Sequence, residues 1–236
     1  MPAERWKFRV KAGVPPHFSL EKARFAQKII AERVVEEDRV DWPVQRAAGV
    51  DVAFSGECSI GAAAVVDYPG LELREKSSYA LRTKFPYIPT LLAFREMAPA
   101  YLALRRLKSS YQLLFVDGNG RLHPYLAGFA CQLGVTLGMP TVGVAKKLLV
   151  GEVGEWQDDW APVIYKNRVI GAAVATRKGA KPIYVSVGHM VSLRTAIRLV
   201  KAFTRRGLKL PEPIRQAHIA ANEAKRLLKS GKLRCV

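Results

Sequence analysis

Residues 47–54 read AAGVDVAF and residues 113–120 read LLFVDGNG, so each apolar run contains one carboxylate, Asp51 or Asp117. A third acid, Glu96, lies between them in a strongly apolar helical pattern. Burying an unpaired carboxylate is costly, so such groups are usually paired or hold a cation. Three acids from three separate elements therefore indicate a metal site with oxygen ligands.

Each acid also has an ordinary structural explanation. Asp51 could face solvent from a half-exposed strand, and Glu96 could pair with an arginine. Asp117 could serve a turn, because an Asp-Gly step followed by Asn-Gly is favourable turn chemistry. At about 100° per residue, however, Glu96 falls on the apolar side of its helix, among Leu92, Ala100, Ala103 and Leu107.

The charge of the chain is strongly positive. Its 236 residues carry 38 Lys and Arg against 20 Asp and Glu, a net charge of +18. Residues 191–236 alone carry twelve Lys and Arg against two Glu. This balance favours a nucleic-acid partner, ahead of an anionic membrane surface or another polyanion. A single basic tail could also explain it without any catalysis.

The sequence has no membrane or secretion signal. No apolar run approaches the roughly 20 residues of a membrane helix, and the start lacks the apolar core of a signal peptide. We therefore expect a cytoplasmic protein, a monomer with no membrane partner. The three cysteines, Cys58, Cys131 and Cys235, are odd in number and show no CxxC spacing. They predict reduced buried thiols rather than a zinc site or disulfides.

The order of the predicted elements indicates an α/β fold, a mixed sheet flanked by helices. Three strands joined by short turns favour an antiparallel meander. We treat residues 1–236 as a single domain with an irregular basic leader at 1–18 and a basic helical part at 191–236. The predicted strands are 46–55, 60–67, 72–82, 112–117, 141–145, 162–166, 169–175 and 183–187, and the predicted helices are 19–36, 91–108, 124–137, 192–206 and 213–229.

Seven short motifs occur in a specific order along the chain. They are GVDV at 49–52, FPYIP at 85–89, LAFRE at 92–96, DGNGRLHP at 117–124, VGVAK at 142–146, SVGH at 186–189 and PEPIR at 211–215. Together they resemble the endonuclease V family of deoxyinosine repair nucleases, over roughly residues 20–225. The resemblance implies a ribonuclease H-like fold, in which the first and fourth strands are neighbours and the three acids converge.

The resemblance also implies an activity. The family uses Mg²⁺, or Mn²⁺ as a substitute, to cut the second phosphodiester bond 3′ of a deaminated purine, leaving a 3′-hydroxyl and a 5′-phosphate. Asp51, Glu96 and Asp117 match its metal ligands, and Lys146 matches its active-site lysine. His218 stands where members carry Asp or His, as a fourth catalytic contributor. Thr90 departs from the pattern, since many members have Gly there.

Recognition of the damaged base is assigned to two groups of residues. Pro86, Tyr87, Ile88 and Pro89 form a stiff segment, and the resemblance implies that this segment acts as a DNA wedge, with Tyr87 opening the base step. Tyr87 alone would more readily be interpreted as a core residue. The base pocket is expected to use Leu92, Gly118, Gly120, His123 and Gly143, because glycines allow close approach of the backbone. Packing of the glycines is the competing interpretation.

Phosphate contacts are expected from Ser186, Gly188 and His189, which precede a helix beginning at Ser192. An ordinary capping loop is the alternative. The expected partner is DNA containing deaminated bases. Two other functions stay open: an inosine-specific endoribonuclease with the same mechanism, and a non-catalytic nucleic-acid-binding module. The second predicts damaged ligand residues, whereas the acids and the lysine are all present.

Overall fold

The computed structural model describes residue 15 and residues 18–236, so the predicted leader at 1–18 lies almost wholly outside the described residues. The helices are α1 (Leu20–Arg33), α2 (Ala93–Arg105), α3 (Phe129–Leu137), α4 (Leu193–Ala202) and α5 (Glu212–Lys229). The strands are β1 (Arg46–Ser55), β2 (Cys58–Asp67), β3 (Leu73–Arg82), β4 (Leu113–Asp117), β5 (Thr141–Ala145), β6 (Glu152–Val153), β7 (Trp160–Tyr165), β8 (Arg168–Val174) and β9 (Ile183–His189).

The strands form one mixed sheet in the order β3-β2-β1-β4-β5-β9-β8-β7-β6. The meander β1-β2-β3 is antiparallel, as predicted. Both β1–β4 and β4–β5 are parallel pairs, and β5–β9 is antiparallel. The predicted mixed sheet flanked by helices is therefore confirmed.

Helices cover both faces of the central strands, which explains their continuous apolar runs. In β4, Leu114 and Val116 pack with residues of α2 and α3 on one face. Leu113 and Phe115 pack with residues of α4 and α5 on the other. Asp51, within β1, and Asp117, the last residue of β4, therefore belong to strands that helices cover on both faces.

Several boundaries differ from the predictions. α3 begins at Phe129 rather than at residue 124, because residues 121–128 form turns and Gly128 is the N-cap in extended conformation. α4 ends at Ala202 rather than at residue 206. The short strand β6 was not predicted. The predicted caps agree better, since Ser19 and Ser192 each accept a backbone N–H at the start of their helix.

The cysteine prediction is wrong for two of the three residues. Cys58 and Cys235 form a disulfide across 177 positions of sequence. The C-terminal segment returns to β3, where the Val236 N–H donates to the Ala80 carbonyl and the Arg82 N–H donates to the Val236 carbonyl. This pairing brings Cys235 beside Cys58, whose partner in β3 is Arg82. Cys131 is a buried free thiol, and burial raises its pKa to about 12.

Among the described residues, none of the helices is both long enough and apolar enough to cross a bilayer.

Candidate active site

Two of the predicted acids lie side by side at the end of the parallel pair β1–β4. The register pairs Val50 with Val116, so Asp51 and Asp117 are the next residues on the two strands. Asp51 is 9% exposed. The backbone ladder therefore places two carboxylates at one buried point.

His218 reaches the same point from α5. Its Nδ1 lies 2.8 Å from Oδ2 of Asp51. α5 can approach β1 this closely because Gly49 has no side chain: a Cβ there would lie 2.1 Å from the Pro213 carbonyl. One ligand atom each from Asp51, Asp117 and His218 lies within 4.8 Å of the others. These three residues form the acid–histidine cluster.

Glu96 lies beside this cluster but outside its 4.8 Å limit. The side chain comes from the first turns of α2 and is 8% exposed. Burial, followed by the negative charges of Asp51 and Asp117, raises the pKa of Glu96 to about 8. The apolar position predicted from the sequence thus brings a third carboxyl within electrostatic reach of the other two.

Lys146 directly follows β5 and pairs with the cluster. Its Nζ donates to Oδ2 of Asp117 at 2.6 Å. Burial, followed by Asp51, raises the pKa of Asp117, and Lys146 opposes this shift. Lys146 is therefore held at the site by an ion pair.

The donor set fits a divalent cation. Three carboxyl groups converge in a largely buried place, and two of them have raised pKa values, so the protein alone does not compensate their charge. Carboxylate oxygens are the ligands that Mg²⁺ and Mn²⁺ prefer. Asp51, Asp117 and His218 form the compact donor group, and Glu96 is the adjacent acid that could complete it.

A cavity of about 200 Å³ adjoins the acids. Glu96 and Asp117 are in its wall, together with Leu92, Gly118 and His123 from the predicted base pocket. Thr90, which the sequence singled out as a departure from the family pattern, also lines the cavity. Residues that the sequence did not indicate complete the lining: Ala93, Asn119, Ala127, Gly128, Phe129, Gln132 and Leu149. Of these, only Gln132 could have been found from the sequence, because it is a polar residue in the otherwise apolar first part of α3. Its side chain is 9% exposed.

The segment at residues 86–89 also borders the cavity, through Tyr87 and Pro89. Tyr87 is 65% exposed, so it does not pack on the core. Ile88 is buried in a small cluster with Ala23, Phe85 and Leu91. Ile88 therefore anchors the segment to the core, and the wedge role of residues 86–89 stays a prediction.

Gly120 and Gly143 do not line the cavity. A Cβ on Gly120 would lie 2.1 Å from the Val187 carbonyl oxygen, and one on Gly143 would lie 2.5 Å from the Gly120 nitrogen. Both glycines allow backbones to pack closely beneath the cavity. Their predicted place in the base pocket is therefore corrected to a role in packing.

The predicted phosphate contacts are also corrected. Ser186 and His189 are 0% and 5% exposed, inside β9. The Ser186 Oγ accepts the Gly120 N–H at 2.9 Å, and the His189 Nδ1 accepts the Val35 N–H at 3.2 Å. Gly188 packs against the Thr141 carbonyl. Neither of the two side chains nor the glycine is open to a phosphate, because β9 is an inner strand of the sheet.

Comparison with known proteins gives a consistent family assignment. The model of the Endonuclease V family matches residues 28–219. Endonuclease V of Thermofilum pendens is 57% identical over 208 residues, covering 88% of this chain and 90% of the relative. Endonuclease V of Roseiflexus sp. is 41% identical over 211 residues, covering 88% and 94%.

Solved structures agree. The crystal structure of endonuclease V from Streptomyces avermitilis has a TM-score of 0.82 at 34% identity, covering 95% of this chain and 98% of that one. Ciona intestinalis endonuclease V, in complex with a 24mer DNA containing an inosine followed by a ribo-adenosine, has a TM-score of 0.79 at 29% identity, covering 88% and 98%.

Proposed function

This chain belongs to the endonuclease V family and is a nuclease, and on that premise we propose that it is a deoxyinosine-directed DNA repair endonuclease. It hydrolyses the second phosphodiester bond 3′ of the lesion and leaves a 3′-hydroxyl and a 5′-phosphate. Mg²⁺ is the proposed cofactor, with Mn²⁺ as a substitute.

One observation carries the proposal: Glu96 and Asp117 belong both to the convergent acids and to the wall of the 200 Å³ cavity. Enzymes that inspect a base turn it out of the stack into a fitted pocket. A cavity below the usual size of small-molecule sites suits a single base. A base held there would keep its strand next to the acids, and the exposed Tyr87 at the rim would fill the space in the duplex.

The residues of the site have separate proposed roles. A divalent ion held by Asp51, Asp117 and Glu96 or His218 would neutralise the phosphate and activate water. Lys146, already paired with Asp117, would add a positive charge beside the phosphate. His218 has a half-exposed side chain against Asp51, where its imidazole would accept a proton from the attacking water.

The basic C-terminal part is proposed to follow the DNA backbone. Arg194 and Arg198 on α4 and Arg226 and Lys229 on α5 are exposed. Such contacts neutralise phosphates without reading sequence, so binding weakens steeply with salt.

Inosine in RNA is the second candidate substrate. The Ciona enzyme was solved with a ribo-adenosine directly after the inosine, so a 2′-hydroxyl at the neighbouring nucleotide is compatible with that relative's site. A requirement for this hydroxyl would move the assignment from DNA to RNA.

A cleavage assay tests both candidates. End-labelled DNA with one inosine is incubated with Mg²⁺, Mn²⁺ or EDTA, beside unmodified DNA, DNA with one ribo-adenosine after the inosine, and matching RNA. We expect a metal-dependent nick one nucleotide 3′ of inosine in all-deoxy DNA. Cleavage only where a 2′-hydroxyl is present would favour the RNA enzyme, and binding without cleavage under every metal would refute the nuclease assignment at this site.

A further inference from the structure

We infer that Gln27 of α1 is a positioning residue for base recognition, because it holds the cavity wall in place through the carbonyl of Thr90. The inference rests on the proposed function, since it concerns the pocket for the damaged base. α1 contributes nothing to the acids, and Gln27 does not line the cavity.

Two buried side chains meet at the Thr90 carbonyl. The Gln27 Nε2 donates to it at 2.7 Å, and the His123 Nε2 lies 3.1 Å from it. Gln27 is 1% exposed and His123 is 5% exposed. A carbonyl oxygen has two lone pairs, so these two donors use its full capacity.

The protonation of His123 is defined by its neighbours. The Tyr125 N–H points at Nδ1 from 3.2 Å, so Nδ1 is the acceptor and Nε2 carries the hydrogen. Burial lowers the pKa of His123 to about 4, so the ring is neutral near pH 7. His123 therefore donates to Thr90.

The orientation of the Gln27 amide is defined as well. Arg24 Nη1 donates to the Gln27 Oε1 at 2.8 Å, which directs Nε2 towards Thr90. The Arg24 guanidinium also lies over the Tyr125 ring, 4.1 Å from its centroid. α1 therefore contacts the loop at 121–126 through Arg24 and Tyr125. Both α1 and this loop also contact the Thr90 carbonyl, through Gln27 and His123.

Thr90 needs such support. Its φ is +69°, a conformation that a side chain other than glycine rarely adopts. Residues 83–92 belong to neither a helix nor a strand, so no regular ladder holds this backbone. Thr90 and Tyr87 both line the cavity. A carbonyl held from two sides therefore defines where the wall and the exposed tyrosine stand.

The test compares Gln27→Glu, Gln27→Leu and a control on the same helix, Lys28→Gln, whose side chain is 73% exposed. Glutamate keeps the size of the side chain and its contact with Arg24, but its carboxylate cannot donate to Thr90. Hydrogen–deuterium exchange of the metal-free protein without DNA is measured first. Faster exchange is expected at residues 86–92 in both Gln27 variants, with β1 and β4 unchanged and Lys28→Gln like the wild type.

Single-turnover cleavage is measured next. For Gln27→Glu we expect the half-saturating concentration of inosine DNA to rise about three- to tenfold, the factor of one neutral hydrogen bond. In steady-state cleavage, the effect should fall on KM rather than on kcat. Selectivity over unmodified DNA should fall with it.

Unchanged exchange at residues 86–92 in a folded Gln27→Glu protein would overturn the inference. An effect on kcat alone would overturn it too, since a wall that positions the base acts on binding. If Gln27→Leu does not fold, Gln27→Glu carries the test. Failure of the wild type to cut inosine substrates would refute the proposed function instead, because the exchange result does not depend on cleavage.

Discussion

The acids at the end of the β1–β4 pairing and the segment at residues 85–92 adjoin one cavity, but the chain positions them by different means. Asp51 and Asp117 directly follow the last paired residues of the parallel strands β1 and β4, so the backbone ladder of the sheet sets their separation. The segment at residues 85–92 lies outside the helices and strands and rests on the buried Ile88 and Leu91 and on the Thr90 carbonyl. On the proposed function, the chemistry rests on the rigid sheet, and recognition rests on a locally held loop. Substitutions should separate the two functions.

Asp117→Ala should have the largest effect. Loss of a central carboxylate removes several kcal/mol of charge stabilisation by the metal, and about 4 kcal/mol corresponds to roughly 10³-fold in rate. We expect cleavage to fall at least that far while binding of inosine DNA in EDTA is retained. Single-turnover cleavage and fluorescence anisotropy measure the two quantities.

The control for Asp117→Ala is Glu155→Ala, which removes an exposed acid outside the cavity lining. Its cleavage rate should match the wild type. Substantial cleavage by Asp117→Ala would show that Asp117 is not an essential metal ligand. It would also contradict the separation of catalysis and recognition between the two regions.

Tyr87→Ala should damage recognition and leave the acids intact. Stacking of an aromatic ring on a base contributes about 1–3 kcal/mol, so discrimination between inosine and unmodified DNA should fall by roughly 5- to 150-fold. Tyr87→Phe keeps the ring and should retain most of the discrimination. Competition cleavage of the two substrates gives the ratio. An unchanged ratio in Tyr87→Ala would show that the exposed ring is not a wedge.

The same contrast explains what the sequence could predict. Asp51 and Asp117 were predictable because one interrupts an apolar run and the other ends one, and parallel pairing of the two strands brings them together. Glu96 was predictable because helical periodicity puts it among apolar residues. These signals are local, and regular secondary structure converts them into positions in space.

Other positions depended on contacts that no local pattern encodes. SVGH at 186–189 resembles a loop before a helix, but β9 lies between β5 and β8, which buries all four residues. Gly143 is indistinguishable in sequence from a pocket glycine. Only the structure shows its packing role, since a Cβ on Gly143 would lie 2.5 Å from the Gly120 nitrogen. The link from Gln27 to Thr90 spans 63 positions, and the disulfide spans 177.

Ser186→Ala tests the corrected position of that strand. The substitution leaves the buried Gly120 N–H without its acceptor, which should cost about 1–3 kcal/mol of unfolding free energy. Urea unfolding measures this loss. The salt dependence of DNA binding should stay unchanged, whereas loss of a true phosphate contact reduces the slope by about one.

Arg194→Ala is the comparison for Ser186→Ala, because Arg194 is exposed on the basic helix α4. It should leave urea unfolding within about 0.5 kcal/mol of the wild type and reduce the salt slope. A reduced slope in Ser186→Ala with unchanged stability would restore the phosphate assignment.

Glu96→Gln tests the coupling between the acids through the stability of the metal-free protein. The pKa of Glu96 is about 8 when folded and 4.5 ordinarily, so the folded state holds this proton more tightly than the unfolded state. The resulting stability is fully present below pH 4.5 and is lost as the pH rises through 8. Glutamine cannot ionise, so the variant escapes this loss.

Melting curves in EDTA from pH 5 to 9 would show the difference. At pH 9 we expect Glu96→Gln to melt at a higher temperature than the wild type, by up to several kcal/mol of stability at about 1.4 kcal/mol per pKa unit, and to match it at pH 5. Asp117 has a pKa raised in the same direction, so some pH dependence should persist in the variant. If the melting temperatures of the variant and the wild type changed with pH in parallel, the coupling between the acids would be contradicted. Mg²⁺ should stabilise the wild type more at pH 9 than at pH 6, because a cation must displace the proton that the crowded carboxyls otherwise share.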